Sequence, residues 1–167
     1  MISPVLRRMI ECLDDAVAAP PEQIERGVIA ALGESLAGAG WLTGAQCRSG
    51  LDHYTRHVLY GDPHDRFTIA AIAWAPGQQS PIHAHYTWCG VGVYHGELTE
   101  TCYRNAAVRG APLPVHTCLR DAGALSFDRP LTGIHRIANL GRKTAVSLHI
   151  YGIGKKHIAT GVNRILE

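Results

Sequence analysis

No run of this sequence approaches the ~18 consecutive apolar residues of a membrane span. The opening residues, MISPVLRRMIECLDD, turn acidic before the core of a signal peptide can form. The chain is therefore expected in the cytoplasm, without a membrane partner. Charged residues are scarce, at 18% against about 25% in an average globular protein. No like-charge block, low-complexity stretch or internal repeat occurs, which excludes disordered, collagenous and coiled-coil classes. The basic residues, 16 Lys and Arg against 14 Asp and Glu, are scattered, so the electrostatic footprint of a nucleic-acid binder is missing. The five cysteines, Cys12, Cys47, Cys89, Cys102 and Cys118, form an odd set with no CxxC spacing. That pattern argues against both a disulfide framework and a zinc ribbon.

What remains is a chain of 167 residues, 46% of them hydrophobic, close to the ~150 residues typical of one domain. One domain over residues 1–167 is expected, with residues 1–45 as a helical N-terminal cap. Pro4 can start a first helix carrying Val5, Met9, Leu13 and Val17 at near-helical spacing, and Pro20-Pro21 ends it. A second helix from about Glu22 carries Ile24, Val28, Ile29, Ala31 and Leu32 and fades at Gly38 and Gly40. Beyond Leu51 short apolar or alternating runs are separated by Gly, Pro, Asp and Asn. Strands are predicted at 55–60, 67–74, 90–94, 98–103, 115–119, 124–127, 133–139 and 145–151. Many short strands without intervening helices predict a mainly β fold, a sandwich or barrel behind N-terminal helices.

Ten histidines are the compositional oddity, and histidine is the commonest metal ligand among side chains. His83 and His85 form an HxH after Gly-Gln-Gln-Ser-Pro-Ile, where a strand would begin. Residues two apart on a strand project to one side, so both imidazoles can reach one cation. Alone, such a pair is more often two surface histidines. Its frame adds weight: Gly77-x5-His83-x-His85-x3-Cys89-x6-Gly96 resembles the first cupin motif, with Cys89 where glutamate is usual, and Gly133-Ile-His135-x3-Asn139 resembles the end of the second. The chain thus looks like a cupin, a double-stranded, jelly-roll-like β-barrel, over roughly residues 50–151. Three neutral imidazoles leave coordination sites open, and zinc, iron, nickel and manganese all fit on geometry alone.

Four short motifs narrow the likeness: Tyr54-Thr55-Arg56, His83-Ala84-His85, GIHRIAN around His135, and Ala145-Val-Ser147-Leu-His149-Ile-Tyr151. In this order they resemble the thiol dioxygenases of the cysteine dioxygenase family, which convert a thiol to a sulfinate with O2. The resemblance implies Fe(2+) held by His83, His85 and His135, and Arg56 gripping a substrate carboxylate beside Tyr54. It also implies Ser147, His149 and Tyr151 as a hydrogen-bonded relay, with a small thiol and O2 as partners. L-cysteine is the expected substrate, and the alternatives are 3-mercaptopropionate, a related thiol acid, or a non-enzymatic metal-binding cupin sensor. A metal-dependent isomerase or hydrolase would want a carboxylate base that the segment between His83 and Gly96 does not supply.

The residues themselves agree with these roles without requiring them. Positions 147, 149 and 151 share a strand face, so hydroxyl, imidazole and phenol can line up, although an ordinary alternating strand gives the same pattern. A guanidinium binds a carboxylate through two parallel hydrogen bonds, whereas a lone strand arginine is usually solvated. His53, His57, His64, His95, His116 and His157 match no ligand position and are read as surface or locally bonded residues. Ala84 stands where many relatives have Asp. The YGDP at 60–63 and the Gly-Ile-Gly-Lys-Lys after Tyr151 look more like bacterial mercaptopropionate dioxygenases, which tend to carry glutamine in place of Arg56. Gly152-Ile-Gly154 lacks the later glycine and helix of a phosphate loop. Counting back from Gly96 places Cys89 at the cysteine that, in animal relatives, forms a thioether with the residue matching Tyr151. Counting forward from His85 places Gly90 there instead.

Overall fold

The computed structural model describes residues 2–38, 40–105 and 110–166. Helix α1 (Pro4–Ala18) starts where the Ser3 hydroxyl accepts the Leu6 N–H at 3.1 Å and Pro4 pre-sets the first turn. Leu6, Met9, Leu13 and Ala16 recur at three- and four-residue steps and form its buried stripe. Helix α2 (Pro21–Ala37) follows the proline break and buries Val28, Ala31, Leu32 and Ser35.

Ten strands follow: β1 (Thr55–Gly61), β2 (Thr68–Trp74), β3 (His83–His85), β4 (Cys89–His95), β5 (Glu97–Arg104), β6 (Leu113–Asp121), β7 (Leu125–Asp128), β8 (Ile134–Ala138), β9 (Ala145–Tyr151) and β10 (Asn163–Ile165). They pair in two antiparallel five-stranded sheets, β1-β2-β9-β4-β7 and β10-β3-β8-β5-β6. A mainly β barrel of two facing sheets behind two N-terminal helices is what the strand spacing predicts. The predicted strands lie within two residues of these at either end, and 145–151 coincides with β9. The exceptions are β3, expected only as a strand start, and β10, which was not predicted. All five cysteines are free thiols.

Strands β2 and β9 are buried along their whole length because the first sheet is covered on both sides. Their outer residues, among them Ile69, Ala71, Val146, Leu148 and Ile150, pack with Leu13 and Leu32 of the helices. Their inner residues face the second sheet, where Ile72, Trp74, Val93 and Leu98 form a separate cluster. Helix α2 can lie directly on β4 because Gly90 has no side chain there; a methyl group at that position would overlap Val28. Gly77 and Gly96, the two glycines of the first cupin-like motif, sit in turns at φ +83° and +77°, the left-handed region that glycine tolerates best.

The YGDP segment acts as a structural clamp. Buried Asp62 accepts the Arg66 backbone N–H at 2.9 Å and two guanidinium hydrogen bonds at 2.8 Å, while Arg66 also reaches Asp14 of α1. The Arg66 hydrogen bonds hold the Asp62 carboxyl down to about 2, below its ordinary value of 3.8. A lowered carboxylate pKa stabilises the fold at pH above its unfolded value, and the gain is lost as the pH falls through the folded value. Asp62→Asn is expected to cost roughly 2 kcal/mol in urea unfolding at pH 7. The gap to wild type should narrow as the pH drops from 4 towards 2; a constant gap would sever the pH dependence from this carboxylate.

Candidate metal centre

His83 and His85 project to one side of β3, and β8 brings His135 directly opposite His83. All three are buried, and their nearest ring nitrogens lie within 4.8 Å of one another. Among the described residues this is the one group of three or more His, Cys, Asp or Glu able to hold a metal. The donor set fits a divalent transition metal, because the His83 and His135 rings are oriented from behind, as metal-ligating histidines usually are. His83 Nδ1 meets Pro81 O at 2.9 Å and His135 Nδ1 meets Glu100 Oε1 at 2.8 Å. His85 Nδ1 lies 3.5 Å from Asp128 Oδ2. His135 Nε2 is buried with no hydrogen-bond partner among the described residues, as expected of a nitrogen reserved for a cation.

Charge supports the same fit. Burial, followed by the neighbouring imidazoles, pushes the His85 pKa down to about 2, so the ring is neutral and ready to ligate. Burial also opposes ionisation of Glu100, but hydrogen bonds from His135 and Arg120 overcome it and hold the carboxyl at about 2. Arg120 donates to Glu100 Oε2 at 2.6 and 2.9 Å, leaving Oε1 for His135. Sequence reading singled out neither Glu100, Asp128 nor Arg120. The available signal was Glu100 itself, a carboxylate on the inward phase of Leu98 in a strand next to the His135 strand. Asp128 also places a carboxylate beside the paired ligands, where Ala84 offers none.

Opposite this centre, β9 presents Ser147, His149 and Tyr151, all buried. The Trp74 indole donates to Ser147 Oγ at 3.0 Å, and Ser147 Oγ lies 2.8 Å from His149 Nε2. Indole is a donor only, so the arrangement that satisfies both groups has the Ser147 hydroxyl donating to Nε2, with the ring proton on Nδ1. Burial, then the Arg56 charge, pushes the His149 pKa down to about 3. The His149 and Tyr151 rings stack with centroids 5.6 Å apart, and burial raises the Tyr151 phenol well above its ordinary range.

Arg56 on β1 holds its guanidinium 5.4 Å from the Tyr151 ring centroid, and its Nη1 donates to Ile158 O at 2.9 Å. Its Nε is buried with no hydrogen-bond partner among the described residues. Tyr54, just before β1, stacks on Trp74 at 4.4 Å between centroids. Tyr54, Arg56, His149 and Tyr151 line one small cavity with the three histidines. The tail beyond Tyr151 closes it: β10 pairs with β3, setting Asn163 against His85, and Asn163 joins the cavity wall. Gly152 packs against the Trp88 ring and Gly154 against Asp65, so these glycines serve close packing.

Cys89 lies directly across from Tyr151 in the β4–β9 register, and Gly90 lies across from Ile150. Cys89 Sγ is 4.0 Å from His149 Nδ1 and fully buried, which pushes its thiol pKa well up. Of the six histidines given no role in the site, His57 bonds to Arg48 O at 2.8 Å and the other five are exposed.

Solved structures with this architecture include an uncharacterised conserved protein with a double-stranded β-helix domain from Klebsiella pneumoniae. It has 15% identity and a TM-score of 0.55, with 74% of this chain and 92% of that one covered. A Thermus thermophilus protein has 17% identity and a TM-score of 0.52, covering 65% and 91%. An oxalate decarboxylase from Lactobacillus farciminis has 15% identity and a TM-score of 0.52, covering 70% of this chain and 32% of that longer one. At these identities the likeness establishes the cupin fold alone. The family model for cysteine dioxygenase type I is more specific: it matches residues 29–158, from within α2 to the carbonyl that holds Arg56. That span takes in the three buried histidines, the arginine and the β9 triad, and the chain belongs to the cysteine dioxygenase type I family.

Proposed function

We propose that this chain is an iron(II)-dependent thiol dioxygenase acting on a small thiol carboxylate, with L-cysteine the first substrate. In the reaction both atoms of O2 end on the thiol sulfur, which becomes a sulfinate. The observation that carries the reading is the meeting, in one small cavity, of a three-histidine centre and a half-buried arginine whose buried Nε has no hydrogen-bond partner among the described residues. Neutral imidazoles leave a bound cation's charge uncompensated, and a soft thiolate is well suited to balance it. Iron(II), when bound, supplies the electron exchange between sulfur and O2.

The chain's own groups supply placement. Arg56 is held by Ile158 O and the Tyr151 ring, so its free edge is fixed before a carboxylate arrives. The Tyr151 phenol stays protonated through the physiological range and can donate a hydrogen bond into the cavity. Trp74 and Ser147 set the His149 tautomer, and His149 in turn supports the Tyr151 ring. Walls of Ile72, Val91 and Ile137 limit water around the reacting sulfur.

The deciding experiment is aerobic incubation of iron-loaded protein with L-cysteine, 3-mercaptopropionate and cysteamine, measuring O2 uptake and sulfinate. Equal amounts of O2 consumed and sulfinate formed are expected with a carboxylated thiol. Absence of thiol-dependent uptake with all three would leave a metal-binding cupin sensor as the reading.

Cys89 adds a separate expectation. Facing Tyr151, it is placed to form a thioether between Sγ and a Tyr151 ring carbon next to the phenol, losing one hydrogen from each partner while O2 accepts the two electrons and two protons. Peptide mass spectrometry after extended turnover should find a fraction of the two peptides joined and lighter by two hydrogens. A Cys89 that remains fully alkylatable would exclude the crosslink and leave the dioxygenase reading intact.

A further inference from the structure

A second, small cavity lies between the sheets, lined in part by Ser147 and His149 but not by Arg56 or Tyr151. Val91, Val93, Leu98 and Ile137 give it a mostly apolar wall, with the Ser147 hydroxyl already engaged by Trp74 and His149. Val91, His135, Ile137 and His149 line both cavities, so these side chains stand between the second one and the metal centre. Its outer rim includes the half-buried Arg120, Ala124 and Ser126. The charged groups on its wall neutralise each other, with Arg120 and His135 both bonded to Glu100.

This lining discriminates by chemistry. A thiol carboxylate has no cation to meet there, since the Arg120 guanidinium is already bonded to Glu100. A small apolar gas loses nothing by leaving water, and narrow apolar cavities in proteins stay dry and take up apolar atoms. The first cavity, in contrast, is the one Arg56 equips for the carboxylate, and a bound thiol acid would fill it from that side. Resting on the dioxygenase reading, we propose that the second cavity is an O2 site and entry route, delivering the gas to the metal centre between Val91, Ile137 and the His135 and His149 rings after the thiol has closed the other approach.

Dissolved O2 is paramagnetic, so it can be located without catalysis. Zinc-substituted protein with labelled methyl groups is placed under O2 pressure, and the added methyl relaxation is measured. The methyls of Val93 and Leu98 should relax several-fold more than those of Leu13, Leu32 and Leu148, which are fully buried outside the barrel. Equal enhancements in the two sets would overturn the proposal. In iron-loaded protein, Ala124→Trp at the rim should raise the KM for O2 several-fold and leave the thiol KM unchanged. An unchanged KM for O2 would overturn the route. If no thiol is oxidised at all, the dioxygenase reading falls, while the relaxation pattern still decides whether the cavity takes O2.

Discussion

Replacing His135 with alanine is expected to leave a folded protein that retains almost no iron. His135 is the only ligand that β8 contributes, and the other two sit on a three-residue strand whose sole partners are β8 and β10. Two imidazoles without the third cannot close a face of the metal, and the Glu100 carboxylate behind the lost ring is already held by Arg120. Loss of even an orienting partner typically costs ten- to a hundredfold in metal affinity, so loss of a ligand should cost on the order of a thousandfold or more, in affinity and in turnover. Metal analysis after gel filtration, with circular dichroism to check folding, reads this directly. His95→Ala, on the exposed end of β4, should bind iron as the wild type does. Stoichiometric iron in His135→Ala would remove His135 from the centre.

Arg56→Ala carries the second large effect, and it should depend on the substrate. A charge-assisted bond in a closed cavity contributes about 2 kcal/mol, which corresponds to roughly a thirtyfold rise in KM for L-cysteine or 3-mercaptopropionate. Cysteamine has no carboxylate, so its KM should barely move. The same variant removes the cation beside the Tyr151 ring, which would appear in kcat for all thiols alike; the KM ratio between substrates separates the two roles. Equal KM changes for cysteamine and cysteine would place the carboxylate elsewhere, with Lys155 and Lys156 next to be tested.

What could be read ahead of the structure follows from the range of the interaction that sets each feature. Strand periodicity and helix caps are local, so α1, α2 and most strands were legible. His83 and His85 were legible because a period of two places them on one face whatever the fold. β10 was not: Asn163, Arg164 and Ile165 carry no strand pattern, and only pairing with β3 extends them. Glu100 and Asp128 were missed for a similar reason. Glu100 reaches His135 because the β5–β8 register places Cys102 opposite His135 and Glu100 one step along, and the 89–128 pairing brings Asp128 beside the ligands. Register between distant strands is decided by the whole barrel, and no window of the sequence contains it. The YGDP and Gly-Ile-Gly stretches illustrate the converse. Both resemble mercaptopropionate enzymes, yet Asp62 secures a turn to α1 and the glycines fit beneath Trp88 and Asp65. Their likeness reports on how the tail is anchored and carries little weight for the choice of thiol.

The two sheets divide the chemistry between them. All three imidazoles of the candidate metal centre hang from the second sheet, and Arg56, Ser147, His149 and Tyr151 hang from the first. The gap is bridged by Ile72, Trp74, Val93 and Leu98, none of which is assigned a chemical role apart from the Trp74 indole. Those spacers therefore work as a calibration layer: lengthening or shortening one of them would change the reach from carboxylate clamp to cation without touching either. Thiol acids that differ by one methylene differ in that same dimension. Selection for a longer or shorter substrate could thus act first on the filler between the sheets, so that a change of specificity in this lineage would be recorded at positions that carry none of the reacting groups.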